Sequence, residues 1–400
     1  FLRRRKVLDY QYFEQQADQK DRVYEMVGGM TEIKQQGCEQ RKRQQWRQIQ
    51  DSIFGISRRA LALSQTEEAG GICINELTSI VVIIITATAV IDGSLTLGMM
   101  LAIQGVIGQL RGPLDDIMDM AYQWQDVNIS MERIDEIHAM DDEETAQRHV
   151  TAVADISIHL EHVSFKYDRM KSTNILDDIT LDIPQGRVTA IVGTSGSGKT
   201  TLAKLILGHY APLQGHIDVG GTPLGSISLA WWRRQCGVVM QDGRLFEESI
   251  AQNIALGYDE IDPDRIEYAA HMANILDYID QLPMGFDTIL YQGGQNLSNG
   301  QRQRLLIARA IYRMPRLFVF DEATNSLDTN NETAIVNNLQ EVFHDKTVVL
   351  IAHRLSTVRH ADNIVVLHQG RIAEQGTHQE LVQRRGMYYE LVKNQLDIEE

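Results

Sequence analysis

The chain has 400 residues and a net charge of −16, with 54 acidic side chains against 38 Lys and Arg. That length exceeds one hydrophobic core and implies two or three domains, and the acidic balance excludes a general nucleic-acid partner, which would need a basic surface. Cys38, Cys73 and Cys236 stand too far apart for a metal site or a disulfide framework and fit a reducing compartment.

The chain opens on Phe1, and FLRRRK runs into polar QYFEQQADQK without a secretory leader pattern, as expected of a piece of a longer protein. Residues 1–68 are rich in Gln, Arg and Glu, lack proline, and read as helical. An oily region follows at 69–112. AGGICINELTSIVVIIITATAVI (69–91) carries one charge, Glu76, and GSLTLGMMLAIQGVIGQL (93–110) carries none. A membrane-spanning helix needs roughly 20 mostly apolar residues, and both runs fall in the permitted range. Asp92-Gly93-Ser94 would form the turn. Arg58, Arg59 and Arg111 lie beyond the outer ends and the turn has no basic residue, which is the positive-inside pattern of a hairpin with an outward tip. The alternative is a pair of buried helices in a soluble bundle. Acidic DDEE at 141–144 opens a connector expected to run from 141 to 155.

From 156 to 395 the pattern is that of a soluble α/β domain. ISIHLEHVSFKY (156–167) and ITLDIP (179–184) alternate as half-buried strands do. VTAIVG (188–193), LFVFDE (317–322) and TVVLIAH (347–353) are uninterrupted apolar runs, suited to strands buried on both faces of a parallel sheet. IVVLHQGRIAEQG (364–376) reads as a closing hairpin turning at Gln369-Gly370.

The glycine loop GTSGSGKT (193–200) follows a strand and precedes a helical segment, the context that a phosphate-binding loop requires. Gly193, Gly196 and Gly198 permit the tight path. Successive N–H groups from Ser195 and Ser197 through Thr201 would form an anion nest at a helix start. Lys199 would reach the outer phosphates, and the Thr200 hydroxyl would ligate Mg²⁺. LFVF ends in Asp321-Glu322, at a strand end that faces the ligand crevice of such a sheet. Asp321 could hold the magnesium shell and Glu322 could polarise an attacking water. His353 ends the next apolar run, where its imidazole could meet the γ-phosphate. In NLSNGQRQRLLIARA (296–310), Ser298 and Gln301 form an S-x-x-Q capping box. Gly300 would give close access to that helix start, which makes it a candidate second phosphate site.

At these residues the chain resembles ATP-binding cassette (ABC) transporters of the exporter type, in which membrane and nucleotide domains share one polypeptide. LSNGQ (297–301) resembles the family signature, with Asn299 where a glycine is usual. Gln292 stands where a glutamate is common just before the signature, which removes a charge facing the coupling helices. The resemblance implies further roles. Tyr167 stacks on adenine, Gln241 links magnesium to the membrane domain, Asp328 in NSLD (325–328) reaches across a dimer, His353 is the switch histidine and Glu322 the catalytic base. It also implies the fold class, α + α/β: a C-terminal cassette of the phosphate-loop NTPase type, with a parallel sheet, an antiparallel β subdomain and a helical subdomain, preceded by long membrane helices. Domains are then expected as a partial membrane domain over 1–140, with its cytoplasmic coupling region at 1–68, the hairpin at 69–112 and the descending helix at 113–138, then the connector and a cassette over 156–395. RVYEMVGGMTEIK (22–34) is similar to a coupling helix, and about four membrane helices are expected upstream.

In this family ATP lies between the phosphate loop of one cassette and the signature helix of another, so a homodimer is implied, with Ser298, Gly300 and Gln301 acting on ATP held by the partner. The expected cofactors are ATP and Mg²⁺, and the expected location is the cell membrane with the cassette in the cytoplasm. ISMERIDEIH (129–138) and DEATNSLDTNNE (321–332) look most like exporters of peptides and bacteriocins that carry a peptidase domain. A lipid or drug exporter, a soluble ABC ATPase of repair or translation, and an ATP-gated channel or regulator that scarcely hydrolyses stand as alternatives.

Overall fold

The computed structural model describes residues 2–140, 142–144, 148–168, 173–291, 294, 296–323, 329–352 and 355–396. The chain divides into two units, Phe1–Asp141 and Asp142–Glu400.

The first unit is helical: α1 (Leu2–Gly28), α2 (Met30–Gln35), α3 (Glu39–Ile91) and α4 (Leu97–His138). The Gly28-Gly29 pair interrupts the segment predicted as one coupling helix and separates α1 from the short α2. Gly37, at φ 59°, stops α2, and the Cys38 amide bonds back to the Ile33 carbonyl at 3.1 Å. This closure is the glycine-dependent helix end that lets the chain reverse into α3. Lys42 on α3 pairs with Glu25 on α1 at 2.7 Å.

Among the described residues, α3 alone is long and apolar enough to cross a membrane, and only 6% of its most apolar window is buried. A core helix of a soluble bundle would be mostly buried. Here Ile80, Val81, Ile84 and Ile85 are exposed, so the membrane reading is the better of the two. Its threonines do not carry loose polar groups into that setting. The hydroxyls of Thr78, Thr86 and Thr88 donate to the carbonyls of Ile74, Val82 and Ile84 at 2.8, 2.7 and 2.7 Å. The second run is shorter than predicted. Thr96 caps α4 by accepting from the Met99 amide at 3.3 Å, so residues 93–96 belong to the turn. The apolar helical stretch is Leu97–Leu110, less than the roughly 20 residues of a full span.

The second unit contains two sheets. A four-stranded antiparallel sheet has the order β2-β1-β4-β5, made of β1 (Ile158–Phe165), β2 (Leu176–Ile183), β4 (Gln214–Val219) and β5 (Thr222–Pro223). A six-stranded sheet has the order β10-β9-β3-β8-β7-β6. Its strands are β3 (Val188–Gly193), β6 (Cys236–Val239), β7 (Leu317–Asp321), β8 (Thr347–Ile351), β9 (Asn363–His368) and β10 (Arg371–Gly376). All its pairings are parallel except that of β9 with β10. β7 and β8 are buried at every residue, which is why their sequences do not alternate. One face of β3, β7 and β8 (Ile191, Val319, Val349, Ile351) packs with helix α5 (Lys199–Ile206) and the antiparallel sheet. The other face (Phe318, Phe320, Val348, Leu350) packs with α8 (Pro263–Met272), α10 (Asn299–Tyr312) and α11 (Thr329–Val342). α5 is therefore clamped between two sheets, which fixes the loop at its start.

Residues read as a connector include side chains that dock on this unit. Glu143 receives a bond from Arg233 at 2.9 Å, Glu144 accepts from the Ser228 hydroxyl at 2.7 Å, and Val150 bridges to Ile227. The predicted hairpin turn has both Gln369 and Gly370 at positive φ, 49° and 77°, the backbone of a two-residue turn that matches strand twist.

Candidate phosphate-binding and carboxylate site

Three neighbouring strands, β3, β8 and β7, end together, with Ile191 opposite Ile351 and Ile351 opposite Asp321. The glycine loop leaves β3 and enters α5. Gly193 and Gly198 have φ of 152° and 103°, and a Cβ at either would collide, the first with the Leu367 carbonyl oxygen at 2.2 Å and the second with Leu176 at 2.7 Å. Only glycine lets the chain take this path between the hairpin and β2. At Gly196 nothing lies within 4 Å, so the loop is open on that side. Gly370 in the β9–β10 turn donates its amide to the Ser197 carbonyl at 3.2 Å, and its own carbonyl accepts from Asp177 at 2.8 Å, so the loop is braced from outside.

Lys199 is buried and donates to the carbonyls of Gly193 and Thr194 at 2.9 and 3.1 Å. Burial lowers its ammonium below the ordinary lysine value, opposed by the Glu322 and Asp321 carboxylates. Asp321 is fully buried, and among the described residues neither carboxylate oxygen has a hydrogen-bond partner of ordinary geometry. Burial pushes its carboxyl up from the usual range, the nearby Thr200 hydroxyl pulls it down, and Glu322 adds to the rise. A buried carboxylate beside a hydroxyl, with both oxygens unsatisfied, fits a hard cation such as Mg²⁺ that takes oxygen ligands. The Ser197 hydroxyl is likewise buried and unsatisfied, as a group would be that awaits an anionic oxygen.

Glu322 sits at φ 54°, a left-handed conformation uncommon for glutamate. Hydrogen bonds to described residues surround it. Its amide donates to the Ile351 carbonyl at 2.8 Å, its carbonyl accepts from Gln303 Nε2 at 3.0 Å, and its Oε2 accepts from Gln241 Nε2 at 3.3 Å. The bend turns the side chain out of the strand repeat that buries Phe320. Tyr167 is half-exposed and reaches the Thr201 hydroxyl at 3.2 Å, while its ring stands edge-on to Phe165 and Tyr210 at 5.1 and 5.2 Å.

The structure thus brings Lys199, Thr200, Thr201, Asp321, Glu322, Gln241 and Tyr167 around one loop. Ser298 caps α10, accepting from the Gln301 amide at 3.2 Å while its own amide donates to Gln301 Oε1 at 2.8 Å, which is the predicted capping box. Asn299 and Gly300 form the first turn of that helix. His353, Asp328 and Gln292 lie outside the described residues. Two groups had no sequence signal of their own. Tyr210 sits in a loop between α5 and β4, and Gln303 meets Glu322 only through the fold.

A sequence profile described as ABC transporter matches residues 176–325. A solved structure of a bacterial Atm1-family ABC exporter with ATP bound matches at a TM-score of 0.93 and 30% identity, covering 98% of this chain and 70% of that one. The chain belongs to the ABC transporter family. Its fold is that of an ABC exporter, with a helical membrane region followed by a cassette. The RTX-III toxin translocation ATP-binding protein of Actinobacillus pleuropneumoniae is 37% identical over 396 residues, 99% of this chain and 55% of the relative. The leukotoxin export ATP-binding protein LtxB of Aggregatibacter actinomycetemcomitans is 36% identical over 378 residues, 94% of this chain and 53% of the relative. The chain spans about half the length of these ABC relatives.

Proposed function

We propose that this chain is the ATP-hydrolysing portion of a homodimeric membrane exporter whose cargo is a polypeptide. The observation that carries the proposal is the meeting of Lys199, the unsatisfied Asp321 and the outward-turned Glu322 at adjacent strand ends. They share a chain with a helix of membrane length.

In this reading the backbone of Gly193, Ser195, Gly196, Ser197, Gly198 and Thr201 cradles the phosphates, and Lys199 turns from its loop carbonyls to their outer oxygens. Thr200, Asp321 and Gln241 would hold Mg²⁺, which when bound neutralises charge on the phosphate oxygens. Glu322 takes a proton from the water that attacks the γ-phosphorus as the bond to the ADP oxygen breaks. His353 contacts the γ-phosphate, and Ser298, Gly300, Gln301 and Asp328 act across the interface on ATP bound to the partner copy. Nucleotide contacts made only when two cassettes close bias a two-state switch, and the coupling segments of the membrane unit convey it to helices in the cell membrane.

Two relatives are named for moving toxins, which supports polypeptide cargo; a leader-cleaving bacteriocin exporter is the narrower form of the same proposal. The likeness to an Atm1-family exporter warrants a second arm in the test. In vesicles with the cassette outward, ATP is expected to drive a labelled polypeptide, taken from the genes adjoining this one, into the lumen. Movement of a lipid or drug probe without the polypeptide would replace this cargo assignment, and the absence of ATP-dependent movement of either would remove export.

Tyr167→Ala is expected to weaken ATP binding about tenfold, the worth of one base–aromatic stack, while leaving inorganic tripolyphosphate affinity unchanged. Equal losses for both ligands, measured by calorimetry, would show that Tyr167 acts on the loop and not on the base.

A further inference from the structure

The first turns of α10 hold two parts of the catalytic site at once. Gln303 Nε2 donates to the Glu322 carbonyl at 3.0 Å, and Arg302 donates to the Gly243 carbonyl at 3.3 Å, two residues beyond Gln241. Gln241 and Glu322 in turn bond to each other at 3.3 Å. The packing behind these contacts is tight. A Cβ on Gly243 would lie 2.7 Å from Leu306 of the same helix, so loop and helix cannot shift independently. The Gln303 bond falls on a residue held in left-handed backbone, Glu322 at φ 54°. A residue kept in a left-handed conformation needs its surroundings to hold it there. The same helix begins at Ser298, whose cap bonds to Gln301 set the direction of its N-terminus.

We infer that Gln303 is a positioning residue that relays occupancy of one ATP site to the catalytic glutamate of the other. The inference rests on the paired-cassette reading proposed above. In that reading the start of α10 engages ATP held by the partner copy. A displacement of that helix end is then felt, little more than one turn later, at the carbonyl of Glu322 in the chain's own site. Arg302 moves the Gln241 loop in the same direction, so the proton acceptor and the glutamine beside it travel as a pair. Neither glutamine nor arginine touches the chain's own phosphate loop in this scheme; they act only through Glu322 and Gln241.

The test is Gln303→Met, which keeps length and helix preference but removes the donor. It is made in the full-length protein in lipid bilayers, with wild type alongside. Two coupled sites give a Hill coefficient for ATP hydrolysis approaching about 2 in the wild type. The variant is expected to fall to about 1 and to lose roughly tenfold in kcat. Its affinity for ATP measured in a Glu322→Gln background should be unchanged. Gln303→Glu, which sets a carboxylate against the carbonyl oxygen, should be impaired at least as much. Wild-type cooperativity that survives intact in Gln303→Met would overturn the relay and leave the paired-site reading standing. A wild type without cooperativity would overturn that reading and the relay with it. Loss of ATP affinity in step with kcat would reduce Gln303 to a structural role and also overturn the relay.

Discussion

Glu322→Gln is expected to leave ATP affinity nearly unchanged while turnover falls about 1000-fold, within the range that loss of a general base produces. The substitution is close to isosteric, and it spares what holds the residue. The bonds from Gln303 and to Ile351 run through the Glu322 backbone, and an amide oxygen can still accept from Gln241. What disappears is the site for the proton that water must shed as it attacks phosphorus. Loss of activity therefore reports chemistry and not folding. Steady-state phosphate release, measured beside equilibrium nucleotide binding, checks both halves. Hydrolysis at the wild-type rate would remove Glu322 as the base. The same variant should also lengthen the life of the closed pair of cassettes, because ATP is held without being consumed.

Lys199→Ala is expected to weaken ATP binding about 100-fold, equivalent to about 2.7 kcal/mol. The ammonium is buried and, among the described residues, donates to the Gly193 and Thr194 carbonyls, partners of modest strength for a desolvated charge. Exchange of those carbonyls for phosphate oxygens gives charge-assisted bonds to an ammonium already largely out of water, where such bonds are strongest. The stability of the nucleotide-free protein should move the other way or hardly at all, since a costly buried cation has been removed. A thermal melt without ATP, set beside the binding constant, separates the two. Unchanged affinity would contradict the phosphate-loop reading, and a collapse of the nucleotide-free melt would show that Lys199 is chiefly a structural strut.

Much of the cassette was legible because its signals are local. VTAIVG, LFVFDE and TVVLIAH announce strands buried on both faces, and they fold as β3, β7 and β8 within two residues of the expected ends. The glycine loop carries its own constraint, since Gly193 and Gly198 adopt backbone that other residues resist. The Ser298–Gln301 box spans a single turn of helix and formed as read. The membrane region was legible in part. Composition marks α3, but only the cap at Thr96 shows where the second helix begins.

What one stretch of chain determined by itself was therefore whatever a turn or a strand can encode: period, capping, glycine positions, and a strand-end Asp-Glu pair. The tertiary structure decided which strand ends become neighbours and which buried groups are left without partners. Gln303 lies 19 residues from Glu322 and Gln241 lies 81 residues from it, and those bonds exist only because β7 pairs with both β6 and β8. Glu143 and Arg233, 90 residues apart, pin a segment that composition alone read as a connector. No local pattern carries such contacts, because their geometry is set by the order in which parallel strands cross over, and that order is fixed by packing of the whole sheet between helices on one face and α5 with the antiparallel sheet on the other.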